Sequence, residues 1–220
     1  MTRRTLYPLV SVDVALFCVD DDELQVLLIQ RANEPLMHQW ALPGGLLQPE
    51  RDASLEAAAM RVLGEKIDLD VPHLAQVSSF SGPRRDPRGW SVAALHYALL
   101  PRDKLQAVKR NKVEQLAWVS AHAPSHQLAF DHGEQIAAAV SLLRARVENG
   151  DLPLHLMAQE FTLTQLQHTC EAILNRPLDK SVFRRQLRDA RDLVATGKMT
   201  EGGRQRPAHL YCAVEGFSWR

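Results

Sequence analysis

Two short apolar runs rich in β-branched residues, VDVALFCV (residues 12–19) and LQVLLIQR (residues 24–31), flank the turn-forming acids Asp20, Asp21 and Asp22. Runs of this kind parted by a tight polar turn predict a β-hairpin. A loop holding Pro35 follows, then the turn Pro43-Gly44-Gly45, and there the rhythm changes. Leu55, Ala58, Ala59, Val62 and Leu63 recur at helical spacing behind Ser54, which can cap a first turn, so a helix is expected from residue 55 to about 66. AQVSSFSG, WSVAALHYALL and EQLAWVS return to strand character. HGEQIAAAVSLLRARVEN is helical again, with Ile136, Val140, Leu143 and Val147 on one stripe and Gly150 just past its end.

The pattern changes once more at residue 150. GDLPLHLMAQE is a proline-containing connector. Behind it Thr162 and Gln165 form a capping box for a helix that should bury Leu163, Leu166, Cys170 and Ile173. Asn175-Arg176-Pro177 ends that helix, and Asp179 caps a second one carrying Lys180, Arg184, Arg185 and Arg188, with Phe183 and Leu187 as its buried side. LVATGKM and AHLYCAV then flank the turn TEGGRQRP, where Gly202-Gly203 frees the backbone and Arg204 and Arg206 project. Helix, turn, basic helix and a hairpin with an arginine-rich tip outline a winged helix-turn-helix. The expected architecture is α+β in two domains, residues 1–149 and 150–220, and the connector with the helix before it is the only covalent route between them.

Charge sharpens the second half. The chain of 220 residues has 26 Lys/Arg against 26 Asp/Glu, so its net charge is zero and any basic surface must be local. Residues 176 to 206 carry nine Lys/Arg against four acids, a local balance of +5. That is the footprint of phosphate contact, with Lys180, Ser181 and Arg184 on the turns that reach base edges and Arg185, Arg188, Arg204 and Arg206 around them. A solvated basic face is the alternative. The hydrophobic fraction of 45% is ordinary for a soluble chain. Cys18, Cys170 and Cys212 are odd in number and far apart, which suits a reducing cytoplasm, and no Cys/His cluster suggests zinc. No run is long and apolar enough for a signal peptide or a membrane span.

Chemistry in the first half is thinner. The helix after the glycine turn offers only Glu56 and Glu65, and nine residues at roughly 100° each set them on opposite sides. Glu65 can instead pair with Arg61 one turn back. RRDPRGW (residues 84–90) reads as a loop between strands whose Arg85 and Arg88 could fork onto phosphate oxygens, or as a solvated turn stiffened by Pro87. Of Trp40, Trp90 and Trp118, only Trp90 adjoins that loop. His132, behind Asp131, reads as a helix-start residue.

Residues 11 to about 148 resemble Nudix hydrolases, whose signature sets a glycine, a glutamate and then a helix with clustered glutamates that bind magnesium. Aligned on Arg61 and Leu63, the ligand positions read Val62, Glu65 and Lys66, the upstream glutamate falls near Asp52 or Ala53, and the interval from Gly45 to Arg61 is two residues too long. The whole chain resembles the Nudix-related transcriptional regulators (NrtR), through WALPGG, RDPRG, LAFDH, FTLTQLQ, EAILNRPLDKSVFRR and RPAHLY in that order. The resemblance implies an α/β/α Nudix-like sandwich followed by a winged helix. It further implies a dimeric, cytoplasmic repressor of NAD-metabolism genes, binding operator DNA and answering ADP-ribose or a related nucleotide without a catalytic cofactor. Arg85, Arg88, Arg61, Lys66 and Trp90 are the expected effector contacts. Two alternatives stay open: an active pyrophosphatase with an accessory basic domain, using Glu50, Glu56 and Glu65, and a repressor whose first half only dimerises.

Overall fold

A computed structural model describes residues 7–68, 71, 73–104, 115–201, 207–217 and 219. Strand β1 (Leu9–Asp20) turns at Asp21 and Asp22, both left-handed, into its antiparallel partner β2 (Glu23–Gln30), the expected hairpin. Between them and the first helix lie two strands not evident from the pattern, β3 (Trp40–Ala41) on β2 and β4 (Gly44–Leu46) on β1. Helix α1 (Leu55–Ile67) starts where Ser54 accepts a hydrogen bond from the Ala57 amide. Strands β5 (Leu74–Asp86), β6 (Gly89–Leu99) and β7 (Leu116–Ser120) complete a seven-stranded sheet, followed by helix α2 (His132–Glu148).

The sheet runs β3-β2-β1-β6-β5, with β1 and β6 parallel and β7 on β2. Because both faces are covered, the central strands are nearly continuous apolar runs rather than alternating ones. In β1 the even residues Val12, Val14, Leu16 and Cys18 pack with Ala58, Ala59, Val62 and Leu63 of α1. The odd residues Ala15, Phe17 and Val19 pack with Ile136, Ala139, Val140 and Leu143 of α2. This is the α/β/α sandwich.

The second unit begins with β8 (Phe161–Thr162), whose Thr162 both pairs with Leu210 and anchors the capping box of helix α3 (Leu163–Leu174). Helix α4 (Lys180–Gln186) is capped by Asp179, and β9 (Leu193–Met199) pairs with β10 (His209–Ala213) as the wing. Three readings need correction. The RRDPRGW stretch is no free loop: β5 runs through Asp86, β6 starts at Gly89, and only the two residues between them turn. Helix α4 stops at Gln186, so Arg188 sits in a following 3-10 turn. Leu163 is half-buried, whereas Gln167 and Thr169 join the buried side of α3. The wing tip with Gly202, Gly203, Arg204 and Arg206 lies outside the described residues.

Two glycines make a paired test of packing. A Cβ on Gly44 would run into the Asp13 carboxylate and sit 3.1 Å from the Val12 carbonyl oxygen, whereas a Cβ on Gly64, exposed within α1, meets nothing. Gly44→Ala should destabilise the protein by about 1–3 kcal/mol, as overpacking does. Gly64→Ala should stabilise it by about 0.5–1 kcal/mol through helix propensity. Denaturant titration of both variants reads the opposite signs.

Candidate functional site

Where β1 leaves the core, the sheet opens into a cleft of about 230 Å³. Its floor is Asp13, whose side chain is only 8% exposed. Gln135 donates to one Asp13 oxygen at 3.1 Å, and the same oxygen lies 3.7 Å from His132 Nε2 and 3.8 Å from Arg85. The Leu42 amide donates to His132 Nδ1 at 2.9 Å. That bond occupies Nδ1 as an acceptor, so in the neutral ring the proton sits on Nε2, facing Asp13. Burial pushes the His132 pKa down despite the two nearby aspartates.

The walls are cationic. Arg85 forks onto Asp131 with two bonds of 2.8 Å and reaches Ser91 at 3.1 Å. Burial raises the Asp131 pKa, but the Arg85 fork and Gln135 outweigh it and hold the carboxyl below its ordinary range. Arg88 closes on Asp86 at 2.7 Å. Arg31 has no carboxylate partner among the described residues. Its guanidinium lies 4.7 Å from the Phe130 ring centroid and donates to the Pro35 carbonyl. Burial, with the neighbouring Arg88, lowers its pKa and outweighs the Asp86, Asp13 and Glu34 carboxylates. Lys66 lines the same cleft and has no ion-pair partner among the described residues.

At the ligand positions of the Nudix helix the donor chemistry does not fit magnesium. Val62 is 1% exposed, packs in the core beneath Gly45, and offers an isopropyl group. Glu65 is held by Arg61 at 3.2 Å and Arg51 at 2.8 Å, as the sequence allowed for Arg61. Magnesium asks for convergent, free oxygen ligands, and among the described residues no three acidic, histidine or cysteine side chains gather to supply them. Glu50 and Glu56 are exposed and do not join Glu65 in such a group.

Two expected effector contacts fall elsewhere. Arg61 is spent on Asp52, with bonds of 2.7 and 2.8 Å, and on the Leu46 carbonyl, so it clamps the loop before α1 and does not line the cleft. Trp90 is 50% exposed and also off the cleft lining, one residue out of phase with inward-facing Ser91. Arg85, Arg88 and Lys66 do line it. Sequence reasoning missed Asp13, Arg31, Phe130 and Gln135. Phe130, at φ 54°, holds a conformation bulky residues avoid, and no local signal announces it. Arg31 ends an apolar run, which was a signal.

On the basic helix, Lys180, Ser181, Arg185 and Arg188 are exposed, and Phe183 is buried as expected. Arg184 is partly withdrawn, donating to Thr164 Oγ1 at 3.2 Å, and its buried Nε has no partner among the described residues. Thr164 belongs to α3, so Arg184 staples the two helices.

The two units share a packed junction. His122 donates from Nε2 to the Ala172 carbonyl at 2.7 Å and faces Arg144 of α2 with Nδ1 at 2.9 Å, and Arg144 also reaches the Ile173 carbonyl. His73 at the start of β5 stacks on His155 of the connector at 4.4 Å, while Trp219 packs edge-on to His73 and beneath Arg146. Burial, His155 and Arg146 push His73 down to about 4. Covalent continuity is therefore not the sole link: Ala172, Ile173 and Trp219 belong to the same core cluster as the sheet.

The NUDIX domain family matches residues 10–139, and the NrtR DNA-binding winged helix domain matches residues 153–213. An ADPR responsive transcriptional repressor NtrR of Acinetobacter baylyi is 42% identical over 93% of this chain and 81% of its own length. The crystal structure of Shewanella oneidensis NrtR complexed with a 27mer DNA superposes with a TM-score of 0.81 at 34% identity, covering 93% of both chains. The NUDIX domain of the Shewanella protein, solved as a complex with ADP ribose, is 36% identical and matches 63% of this chain and 90% of its own with a TM-score of 0.56.

The Asp52–Arg61 clamp predicts an acid response. The Arg61 hydrogen bonds hold Asp52 down at about 2 against an ordinary 3.8. A carboxyl lowered on folding contributes stability above its unfolded pKa and loses it as pH falls through the folded one. Asp52→Asn should therefore lower the denaturant midpoint at neutral pH and flatten the parent's decline between about pH 4 and 2. An identical pH slope in parent and variant would show that the clamp contributes nothing.

Proposed function

The chain belongs to the NrtR family, a NUDIX domain joined to an NrtR winged helix, and from that premise we propose that it is a DNA-binding repressor whose cleft binds ADP-ribose or a close relative without turning it over. The observation that carries the reading is that Val62 and Lys66 stand at the metal-ligand positions, in a cleft that Lys66 lines together with Arg31, which has no ion-pair partner among the described residues. Where a hydrolase gathers carboxylates and magnesium, this cleft presents protein cations. Guanidinium and ammonium groups bind a diphosphate directly, but they activate no water. A repressor that hydrolysed its signal would erase it.

The geometry also supplies a transmission route. Asp131 stands at the start of α2, and its carboxylate is held by Arg85 on the cleft wall. A phosphate that draws Arg85 away from Asp131 disturbs the head of a helix of 17 residues, roughly 25 Å long. The far end of that helix, through Arg144 and Arg146, grips α3 and Trp219. Acting as a two-fold dimer, the protein would convert a tilt of α2 into altered spacing between its two recognition helices, which half-sites about 34–36 Å apart do not tolerate.

Calorimetry with ADP-ribose, in the presence and absence of operator DNA, tests this directly. The expected coupling is about 5–150-fold in affinity, the same in both directions because linkage is reciprocal. Arg31→Ala and Arg88→Ala should weaken nucleotide binding and leave ligand-free DNA binding unchanged. Equal nucleotide affinity with and without DNA would sink the sensor reading. Magnesium-dependent hydrolysis of ADP-ribose by the parent, lost in Glu65→Gln, would instead favour the pyrophosphatase.

A further inference from the structure

The recognition helix carries an apolar side chain on its exposed side. Helix α4 advances roughly 100° per residue, so Phe183 and Leu187, which pack in the core of the winged helix, point to one side. The opposite side carries Ser181, Val182 and Arg185. Val182 is 41% exposed; its backbone amide bonds the Asp179 carboxylate, and its isopropyl group has no share in the core. On the same helix Lys180, Ser181 and Arg185 are exposed, Arg185 nearest to it, and Arg188 is exposed in the turn that follows. An aliphatic group held in water amid cations is unfavourable in the free protein, and on a helix this basic the surface that covers it must also be anionic.

Resting on the DNA-binding reading above, we infer that Val182 reads the C5-methyl group of a thymine in the major groove, with Arg185 as the base-reading arginine beside it. Thymine is the one base that presents an apolar group on its major-groove edge. Double-stranded DNA thus supplies both chemistries that this face asks for, phosphate for the cations and a methyl for the valine. Arg185 lies three residues on from Val182, on the same exposed side, with no protein partner among the described residues. Arg184, expected from the sequence to reach a base, has its head tied to Thr164 and its Nε buried, which leaves it a positioning residue that fixes α4 against α3.

The test uses the full-length protein and a duplex that it selects from random sequence. Each thymine of that duplex is replaced in turn by deoxyuridine, which removes the methyl and leaves every hydrogen-bonding group in place. At one thymine of each half-site the parent should lose roughly threefold to tenfold in affinity, the worth of burying one methyl group on each side of the contact. Val182→Ala should bind the normal duplex more weakly by a similar factor and no longer distinguish deoxyuridine from thymidine there. Val194→Ala, an equally exposed valine on β9, should keep the parent's sensitivity. If the parent binds its duplex but ignores every methyl, or if Val182→Ala keeps the full sensitivity, the assignment of Val182 is overturned and the DNA-binding reading stands. If no sequence is enriched at all, both fall.

Discussion

A single buried carboxylate organises the first domain. Asp13 sits on β1 at the mouth of the core, where an unpartnered charge would be costly. The fold answers with Gln135, His132 and Arg85. Each ties the cleft floor to something distant: Gln135 and His132 to the head of α2, Arg85 to the β5–β6 hairpin and through Asp131 back to α2. The requirement reaches the glycine turn as well, because β4 can pair with β1 at this point only if Gly44 has no side chain. Sheet, glycine turn and output helix are therefore held in one polar network, and partly broken networks of this kind cost more than their individual bonds suggest.

The same economy shows in helix α1, which packs on the sheet without a cluster of carboxylates at positions 62 and 66. Val62 does not merely delete a ligand. It joins the core beneath Gly45 and consolidates the helix against the sheet. Glu65 survives as the outer member of a charge ladder with Arg61 and Arg51, where it fastens the loop that carries Asp52. Lys66 turns the remaining position from acceptor to cation. The helix keeps its length, cap and packing, so the fold persists while the electrostatic sign of the cleft's rim changes.

At the other end of α2 the two units are neither separate beads nor one core. The C-terminal Trp219 returns from the wing to pack with His73 and Tyr97 of the first sheet. Buried nitrogens of Trp219, His155 and Arg146 have no hydrogen-bond partner among the described residues. Aromatic stacking and the cation over the indole act at this junction beside the His122 and Arg144 hydrogen bonds to the Ala172 and Ile173 carbonyls.

The sequence by itself determined the elements and most of their order. The double-faced apolar runs of β1 and β6, the Ser54 and Thr162 caps, and the Asp179 start of the recognition helix are local, because helix spacing and capping act within a few residues. That Val62 and Lys66 put no carboxylates on the ligand face was legible for the same reason, since a spacing of four residues fixes a helix face. Short strands such as β4 and β8 were not, because two or three residues have no periodicity and exist only through their partners. Tertiary structure alone decided which charges are free. Nothing adjacent to Arg61 in sequence reveals that Asp52 takes its guanidinium, nor that Asp131, 46 residues on, takes Arg85, while Arg31 is left facing the cleft. Likewise, that Arg184 leans on Thr164 and Val182 stands in the open depends on where α3 packs. Ion pairs and exposure are set by long-range contacts that bring distant side chains within a few ångströms, and no local pattern encodes those distances.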